Sequence, residues 1–118
     1  ALLHPRRVPG ADRPLDLTRL LSLEFRPVDE ARFPMLRLAR EAMAAGGVAP
    51  AVYNAANEVA VTAFLAGQIP FLAISRVVEQ SLLSLENFEP SDLTAVLTLD
   101  TEARRLAAAQ VASLQAKA

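Results

Sequence analysis

Residues 50–67 read PAVYNAANEVAVTAFLAG, and this stretch decides the predicted fold. It opens with a proline, which suits the first turn of a helix, and closes at a glycine, which favours a helix stop. A helix that is apolar nearly all round is typically central and buried, so other helices are expected to surround this one. The apolar positions on one side are Val52, Tyr53, Ala56, Val59, Ala60, Ala63 and Phe64, with Val61 and Leu65 towards the other side.

Similar signals predict further helices on both sides of this stretch. Pro34 opens a helix that stops at Gly46-Gly47. Ser75 is a good N-cap for a helix that follows the central one, Ser91 for a short helix after that, and Asp100 for a last helix. Because the connections are short, antiparallel neighbours are favoured. The sequence therefore predicts a mainly α protein, a four- to five-helix bundle preceded by an extended arm with one short strand.

The arm and the strand occupy residues 1–30, and the bundle is predicted to occupy residues 31–118. Three prolines in the first 14 residues disfavour helix in the arm. Leu23 and Phe25 share one face of a short alternating run, which indicates a strand. Since no second run of strand character follows, this strand is expected to pair with its copy in a neighbouring chain or with a sheet outside this sequence.

The composition excludes several classes of protein. The chain has 118 residues, 53% of them hydrophobic, with a net charge of -1, so a packed core is expected and nucleic-acid binding is not. It has no cysteine, which excludes disulfides and thiolate metal sites. No apolar run is long enough to span a membrane and no signal peptide is recognisable, so a cytoplasmic location is expected. The start at Ala1, without methionine, suggests that a longer protein was cut here.

Few residues are candidates for chemistry. His4 is the only histidine, and one histidine cannot supply a histidine-based metal cluster. It is interpreted as an exposed bystander, with a role at a domain junction as the alternative. Asp92, Asp100 and Glu102 could form an acidic patch, but positions at helix starts explain them more simply.

The sharpest local feature is the polar cluster of Asn54, Asn57 and Glu58 on the central helix. A spacing of three and four residues places all three side chains on one arc of a mostly apolar helix. In a functional reading, Glu58 is a general base or metal ligand that the two amides orient. In a structural reading, which is favoured because no second acid or histidine lies at helical spacing, the cluster ties this helix to another part of the fold.

Several stretches of the sequence, the polar cluster of the central helix among them, resemble the carboxy-terminal region of the 1-deoxy-D-xylulose 5-phosphate reductoisomerase family. The resemblance is most specific at residues 54–61, NAANEVAV, followed by Ala63, Phe64 and Leu65. It runs in order along almost the whole chain. The other matching pieces are PLDL at residues 14–17, LEF at 23–25, RFP at 32–34, LRLA at 36–39, Gly46-Gly47, then Ile69, Phe71 and Ile74, and DTEAR at 100–104.

The resemblance implies a full-length enzyme that converts 1-deoxy-D-xylulose 5-phosphate to 2-C-methyl-D-erythritol 4-phosphate in non-mevalonate isoprenoid biosynthesis. It implies NADPH and a divalent metal, Mg²⁺ or Mn²⁺, for that enzyme, and no cofactor bound by this chain alone. The catalytic, metal-binding and cofactor-binding residues of the family lie upstream of Ala1, so none is assigned here. Residues 1–30 would be the tail of the connecting and catalytic domain.

The implied partners are the upstream catalytic and NADPH-binding domains of the same polypeptide, in a homodimeric enzyme, with no nucleic acid and no membrane. This chain alone is expected to be inactive. One alternative is a free-standing helical interaction module, a homodimer that pairs residues 23–25 across a two-fold axis. A helix-turn-helix DNA binder is disfavoured because the helical part of the chain is acidic.

Overall fold

The computed structural model describes residues 22–117, which form a bundle of four α-helices. The predicted mainly α fold is confirmed, with four helices in this part of the chain. The predicted arm before residue 22 and His4 lie outside the described residues. The boundary between residues 1–30 and 31–118 therefore stays a prediction. The helices are α1 (Pro34–Ala45), α2 (Ala49–Leu65), α3 (Ala73–Ser84) and α4 (Leu93–Ala116).

Helix α2 is the central helix and packs against each of the other three. Its buried positions are mostly small, and Ala55, Ala56 and Ala60 are completely buried. Because the distance between packed helices depends on the side chains at the contact, alanines let the neighbouring helices approach α2 closely. In the main core cluster, most of the larger buried side chains come from those neighbours. They are Leu38 of α1, Ile74, Val77 and Val78 of α3, and Val111 of α4.

The junction between α1 and α2 follows the local signals in the sequence. Pro34 is the first residue of α1, and Pro50 lies in the first turn of α2. Helix α1 ends at Ala45, and its C-cap Gly46 donates its N–H to the carbonyl of Ala42 at 3.1 Å. Gly46 has φ +66° and ψ -151°, a conformation essentially restricted to glycine. The predicted stop at this glycine pair therefore has a direct backbone cause.

A side chain from far along the sequence fastens this junction. Asn87 Oδ1 accepts the backbone N–H groups of Val48 at 3.0 Å and Ala49 at 3.2 Å, while its Nδ2 donates to the carbonyl of Gly46 at 3.2 Å. One amide thus bonds to donors at the start of α2 and to an acceptor after α1, in addition to the backbone bonds from Val48 to Phe88 and from Ala49 to Gly46. Gly47 makes the close approach feasible, because a Cβ there would lie 2.6 Å from Asn87 Oδ1.

The predicted strand at residues 23–25 is not formed in the part of the chain that the structure describes. Residues 22–29 have no regular secondary structure, and no strand occurs between residues 22 and 117. The physical reason is the one that the sequence raised: a strand needs a hydrogen-bonded neighbour, and residues 22–117 provide none. Leu23 and Phe25 are consequently 73% and 88% exposed.

Two predicted helix starts are also wrong. Ser75 lies inside α3, which begins at Ala73, and its hydroxyl donates to the carbonyl of Leu72 at 3.2 Å. Asp100 lies inside α4, a single helix of 24 residues, because no glycine or proline interrupts residues 91–117. No helix in the described part of the chain is long and apolar enough to cross a membrane.

The start of α4 is capped one residue later than predicted. Asp92, rather than Ser91, is the N-cap, and its Oδ1 accepts the N–H of Ala95 at 2.8 Å. A carboxylate at this position satisfies a free backbone donor and meets the positive end of the helix dipole.

Candidate functional site

The structure divides the predicted polar cluster of α2 into two parts. Asn54 and Glu58 are exposed, and Asn54 Nδ2 donates to Glu58 Oε1 at 3.4 Å. Asn57 is half-buried and lines a separate cavity on the other side of this arc. Two of the three side chains are therefore open to solvent, and only Asn57 is partly buried. The buried face of α2 consists mostly of alanines, and the opposite side of the helix, with Asn54 and Glu58, is open to solvent.

Glu58 is joined to α4 through one guanidinium. Arg104 Nη2 donates to Glu58 Oε2 at 2.6 Å, and Arg104 Nε donates to Asp100 Oδ2 at 2.8 Å. Hydrogen bonds from Arg104 to Asp100 and then to Glu58 raise the pKa of Arg104 above its ordinary value. The guanidinium therefore stays cationic and bridges two carboxylates, one from each helix.

This arrangement tells what Glu58 can do chemically. Its carboxylate is occupied by Arg104 and Asn54, and the described residues contain no group of three His, Cys, Asp or Glu side chains that could hold a metal ion. The side chains present thus do not fit a divalent metal, and no reaction step is assigned to them. What the ion pairs do is connect α2 to α4, with a modest contribution to stability because water screens them.

An open groove runs beside this ion pair between α2 and α4. Its volume is about 420 Å³, and Thr62, Gln68 and Gln115 line it together with Glu58 and Arg104. The groove has polar side chains along an open surface, and its charged groups already neutralise each other. It therefore shows no charge excess that would select an anionic substrate.

Asn57 faces a smaller cavity, of about 280 Å³, between the entry to α1, the middle of α2 and the start of α3. Tyr53 also lines it, and its hydroxyl donates to the backbone carbonyl of Met35 at 3.1 Å. Burial raises the pKa of Tyr53, so the phenol stays protonated and keeps this bond to α1. Most of the remaining wall is apolar. We call this space the α1–α3 cavity.

The acidic residues of α4 have separate explanations. Position at a helix start explains Asp92, as predicted, but not Asp100 or Glu102, which lie within α4. Asp100 pairs with Arg104, and Glu102 pairs with Arg105 at 2.6 Å. The hydrogen bond from Arg105 lowers the pKa of Glu102. These carboxylates do not form a shared ligand set.

Sequence reasoning missed Arg104 and Asn87, two of the residues that connect distant elements. Arg104 carried a usable signal, because it lies four residues after Asp100, a spacing at which helical ion pairs form. Its second partner, Glu58, lies 46 residues away and depends on how α2 and α4 pack. Asn87 carried no comparable signal, because its partners lie about 40 residues away.

Comparison with known proteins identifies the family. Residues 1–106 match the model of the DXP reductoisomerase C-terminal domain. The chain belongs to this family. It is 50% identical, over 117 residues, to 1-deoxy-D-xylulose 5-phosphate reductoisomerase of Burkholderia multivorans, a match that covers 99% of this chain. It is 51% identical, over 113 residues, to the enzyme of that name from Rhodospirillum centenum, which covers 96% of this chain.

A solved structure agrees with the sequence relatives. The reductoisomerase of Zymomonas mobilis, determined in complex with NADPH, matches 92% of this chain with a TM-score of 0.75 and 44% identity. This chain spans only 28–29% of the length of the two curated relatives and 29% of that structure. The family membership therefore rests on fold and sequence together.

Proposed function

We propose that this chain forms the C-terminal helical domain of a 1-deoxy-D-xylulose 5-phosphate reductoisomerase. The full-length enzyme would convert 1-deoxy-D-xylulose 5-phosphate to 2-C-methyl-D-erythritol 4-phosphate, with NADPH and a divalent metal, in non-mevalonate isoprenoid biosynthesis. The observation that carries the proposal is the 50% identity to a named reductoisomerase over 99% of the chain. The same match weighs against a free-standing interaction module.

The role of the domain in that enzyme would be to brace the catalytic part and not to supply reacting groups. Two features of the described residues support this role. Glu58, the strongest candidate for a reacting carboxylate, is engaged in an ion pair that connects α2 to α4. No group of three potential metal ligands occurs between residues 22 and 117.

Residues 22–29 would be the connection to the catalytic part. Leu23, Phe25 and Val28 are 73%, 88% and 56% exposed, and alternation across residues 23–25 places Leu23 and Phe25 on one side of an extended chain. A segment of this kind can add to the edge of a sheet through its free backbone groups. We propose that it pairs with a sheet of the upstream domain in the longer polypeptide.

An activity assay tests the proposed function. We expect the longer polypeptide that ends with this domain to oxidise NADPH when 1-deoxy-D-xylulose 5-phosphate and Mg²⁺ or Mn²⁺ are present. The 118-residue chain should show no turnover under the same conditions and no measurable NADPH binding. Substrate-dependent NADPH oxidation by the 118-residue chain alone would refute a purely bracing role. Absence of turnover in the longer polypeptide would refute the assigned reaction.

The assembly and location of the full-length enzyme are further proposals. We propose a cytoplasmic homodimer, which rests on the family resemblance. Analytical ultracentrifugation of the longer polypeptide tests the stoichiometry. We expect the mass of two copies, and the mass of one copy would contradict the homodimer.

A further inference from the structure

The α1–α3 cavity has the form of a socket. Phe33 and Pro34 border it at the entry to α1, Val61 lies on its α2 side, and Phe71, Leu72 and Ile74 border it at the start of α3. Three different elements thus converge on one concave, mainly apolar space of about 280 Å³. Ligand pockets usually measure about 300–1,000 Å³, so this volume suits one or two side chains better than a cofactor such as a dinucleotide.

Several large apolar side chains around this cavity are exposed to solvent. Phe33 is 50% exposed, Phe71 59% and Leu72 69%, whereas Ile74 is buried. Large apolar side chains grouped around a concavity with a few polar atoms are typical of an interaction site. One of these polar groups already has a partner, because the Tyr53 hydroxyl donates a hydrogen bond to the backbone carbonyl of Met35. The cavity is therefore suited to an apolar insert and not to a charged one.

The chain's own course indicates where the insert comes from. The wall begins at Arg32 and Phe33, which continue directly from residues 22–31. Ten residues of extended chain reach at most about 35 Å, so residue 22 lies within that distance of the cavity, and residues 1–21 connect it to any part that precedes Ala1 in a longer polypeptide. This covalent connection through residues 1–31 raises the effective concentration of the preceding part at the socket, without any separate binding event.

We infer that the α1–α3 cavity is a docking socket for a bulky apolar side chain, aromatic or branched, of the catalytic part that precedes this domain in the longer polypeptide. The inference rests on the proposed function, because the relatives are more than three times as long as this chain and match it only with their C-terminal domain. The exposed Leu23, Phe25 and Val28 lie on the connection to that same part. Residues 22–29 and the α1–α3 cavity would together attach this domain to the catalytic part at two places.

Hydrogen exchange tests the socket directly. Amides of residues 71–75 should exchange at least about tenfold more slowly in the longer polypeptide than in the 118-residue chain, a factor that burial of one large apolar side chain supports. Amides of residues 112–116, at the far end of α4, serve as the reference and should exchange equally in both proteins. Equal exchange at residues 71–75 in an active longer polypeptide would overturn the socket while leaving the proposed function intact.

A matched pair of variants separates docking from local stability. Leu72→Asp alters a socket residue that is 69% exposed, and Leu83→Asp alters a residue of α3 that is 73% exposed and does not line the cavity. Leu72→Asp should abolish the protection at residues 71–75 in the longer polypeptide, and Leu83→Asp should preserve it. Equal effects of the two variants would overturn the inference.

A second pair fills the socket without adding charge. Val61→Phe places a ring in the cavity, while Leu65→Phe, one turn further along α2, places one at a site that is 77% exposed. Only Val61→Phe should speed exchange at residues 71–75 in the longer polypeptide. Concentration-dependent protection of the 118-residue chain at these residues, removed by Leu72→Asp, would show instead that a second copy occupies the socket.

Discussion

Asn87 Oδ1 accepts the backbone N–H of Val48 at 3.0 Å, across 39 residues of sequence. The same side chain reaches the carbonyl of Gly46 with its Nδ2, so it connects the end of α1 to the start of α2. Helix ends leave several backbone groups without partners, and one amide here serves both ends. The orientation of the two helices is thereby coupled to the loop between α3 and α4.

Asn87→Ala should lower the free energy of unfolding by about 1–2 kcal/mol, since it removes the hydrogen bonds by which this side chain connects the end of α1 to the start of α2. Chemical denaturation of the 118-residue chain measures the change. The control is Asn54→Ala, which removes only the exposed 3.4 Å contact to Glu58 and should change stability little. Similar losses for the two variants would contradict the role assigned to Asn87.

Two glycine substitutions test how closely Asn87 approaches the junction. Gly47 has φ +58° and Gly67 has φ +75°, so both lie in the left-handed region, where alanine costs about 1–2 kcal/mol. Only Gly47 would also place a Cβ 2.6 Å from Asn87 Oδ1 and from the Phe88 carbonyl. Gly47→Ala should therefore destabilise by about 2–5 kcal/mol, against about 1–2 for Gly67→Ala. Equal costs in thermal or chemical unfolding would show that the junction relaxes freely.

The alanine-lined face of α2 predicts sensitivity to larger side chains. Ala56 is completely buried in the core, whereas Ala44 of α1 is exposed. Ala56→Leu should lower the free energy of unfolding by about 1–3 kcal/mol or more, because the helices must separate to accommodate it. Ala44→Leu is the control and should be nearly neutral. Tolerance of leucine at position 56 in chemical denaturation would mean that α2 is not closely surrounded.

The pair of Arg105 and Glu102 predicts a defined pH dependence. Because Arg105 lowers the pKa of Glu102 in the folded chain, the pair stabilises the fold above the ordinary glutamate pKa of about 4.3. That contribution is lost as the pH falls through the lowered folded value, where Glu102 becomes protonated. Arg105→Gln should thus be less stable than the wild type near neutral pH, with a difference that vanishes in acid.

Unfolding measured from neutral pH to about pH 3 checks this prediction. Arg76→Gln, at an exposed position of α3, is the control for loss of one positive charge. The prediction would be contradicted if the stability difference for Arg105→Gln stayed constant over the whole pH range. It would also be contradicted if Arg76→Gln showed the same difference.

Local signals predicted those parts of the fold that local physics determines. Pro34 begins α1 because its ring fixes φ, Gly46 follows the end of α1 because glycine can adopt a positive φ, and the apolar pattern of α2 reflects its central position. The errors arose where a local signal had a competing explanation. Asp100 resembles a cap in sequence, but within an uninterrupted helix it pairs with Arg104.

The candidate site was less predictable for a related reason. Helical spacing correctly placed Asn54 beside Glu58, but it could not show that the arc faces solvent. That outcome depends on alanines allowing α1, α3 and α4 to enclose the opposite face. The partner of Glu58, Arg104, is set by tertiary packing alone. For residues 23–25, strand propensity was read correctly as a need for a partner, and residues 22–117 do not contain one.

The turnover of a Glu58→Gln variant of the longer polypeptide tests the central claim most directly, because Glu58 is the strongest candidate in this domain for a reacting group. If the domain braces the enzyme without taking part in the reaction, kcat with saturating NADPH and 1-deoxy-D-xylulose 5-phosphate should stay within about threefold of the wild type. A fall of about 10²–10⁴-fold, the contribution of a general acid or base, would contradict the account and place Glu58 in the active site.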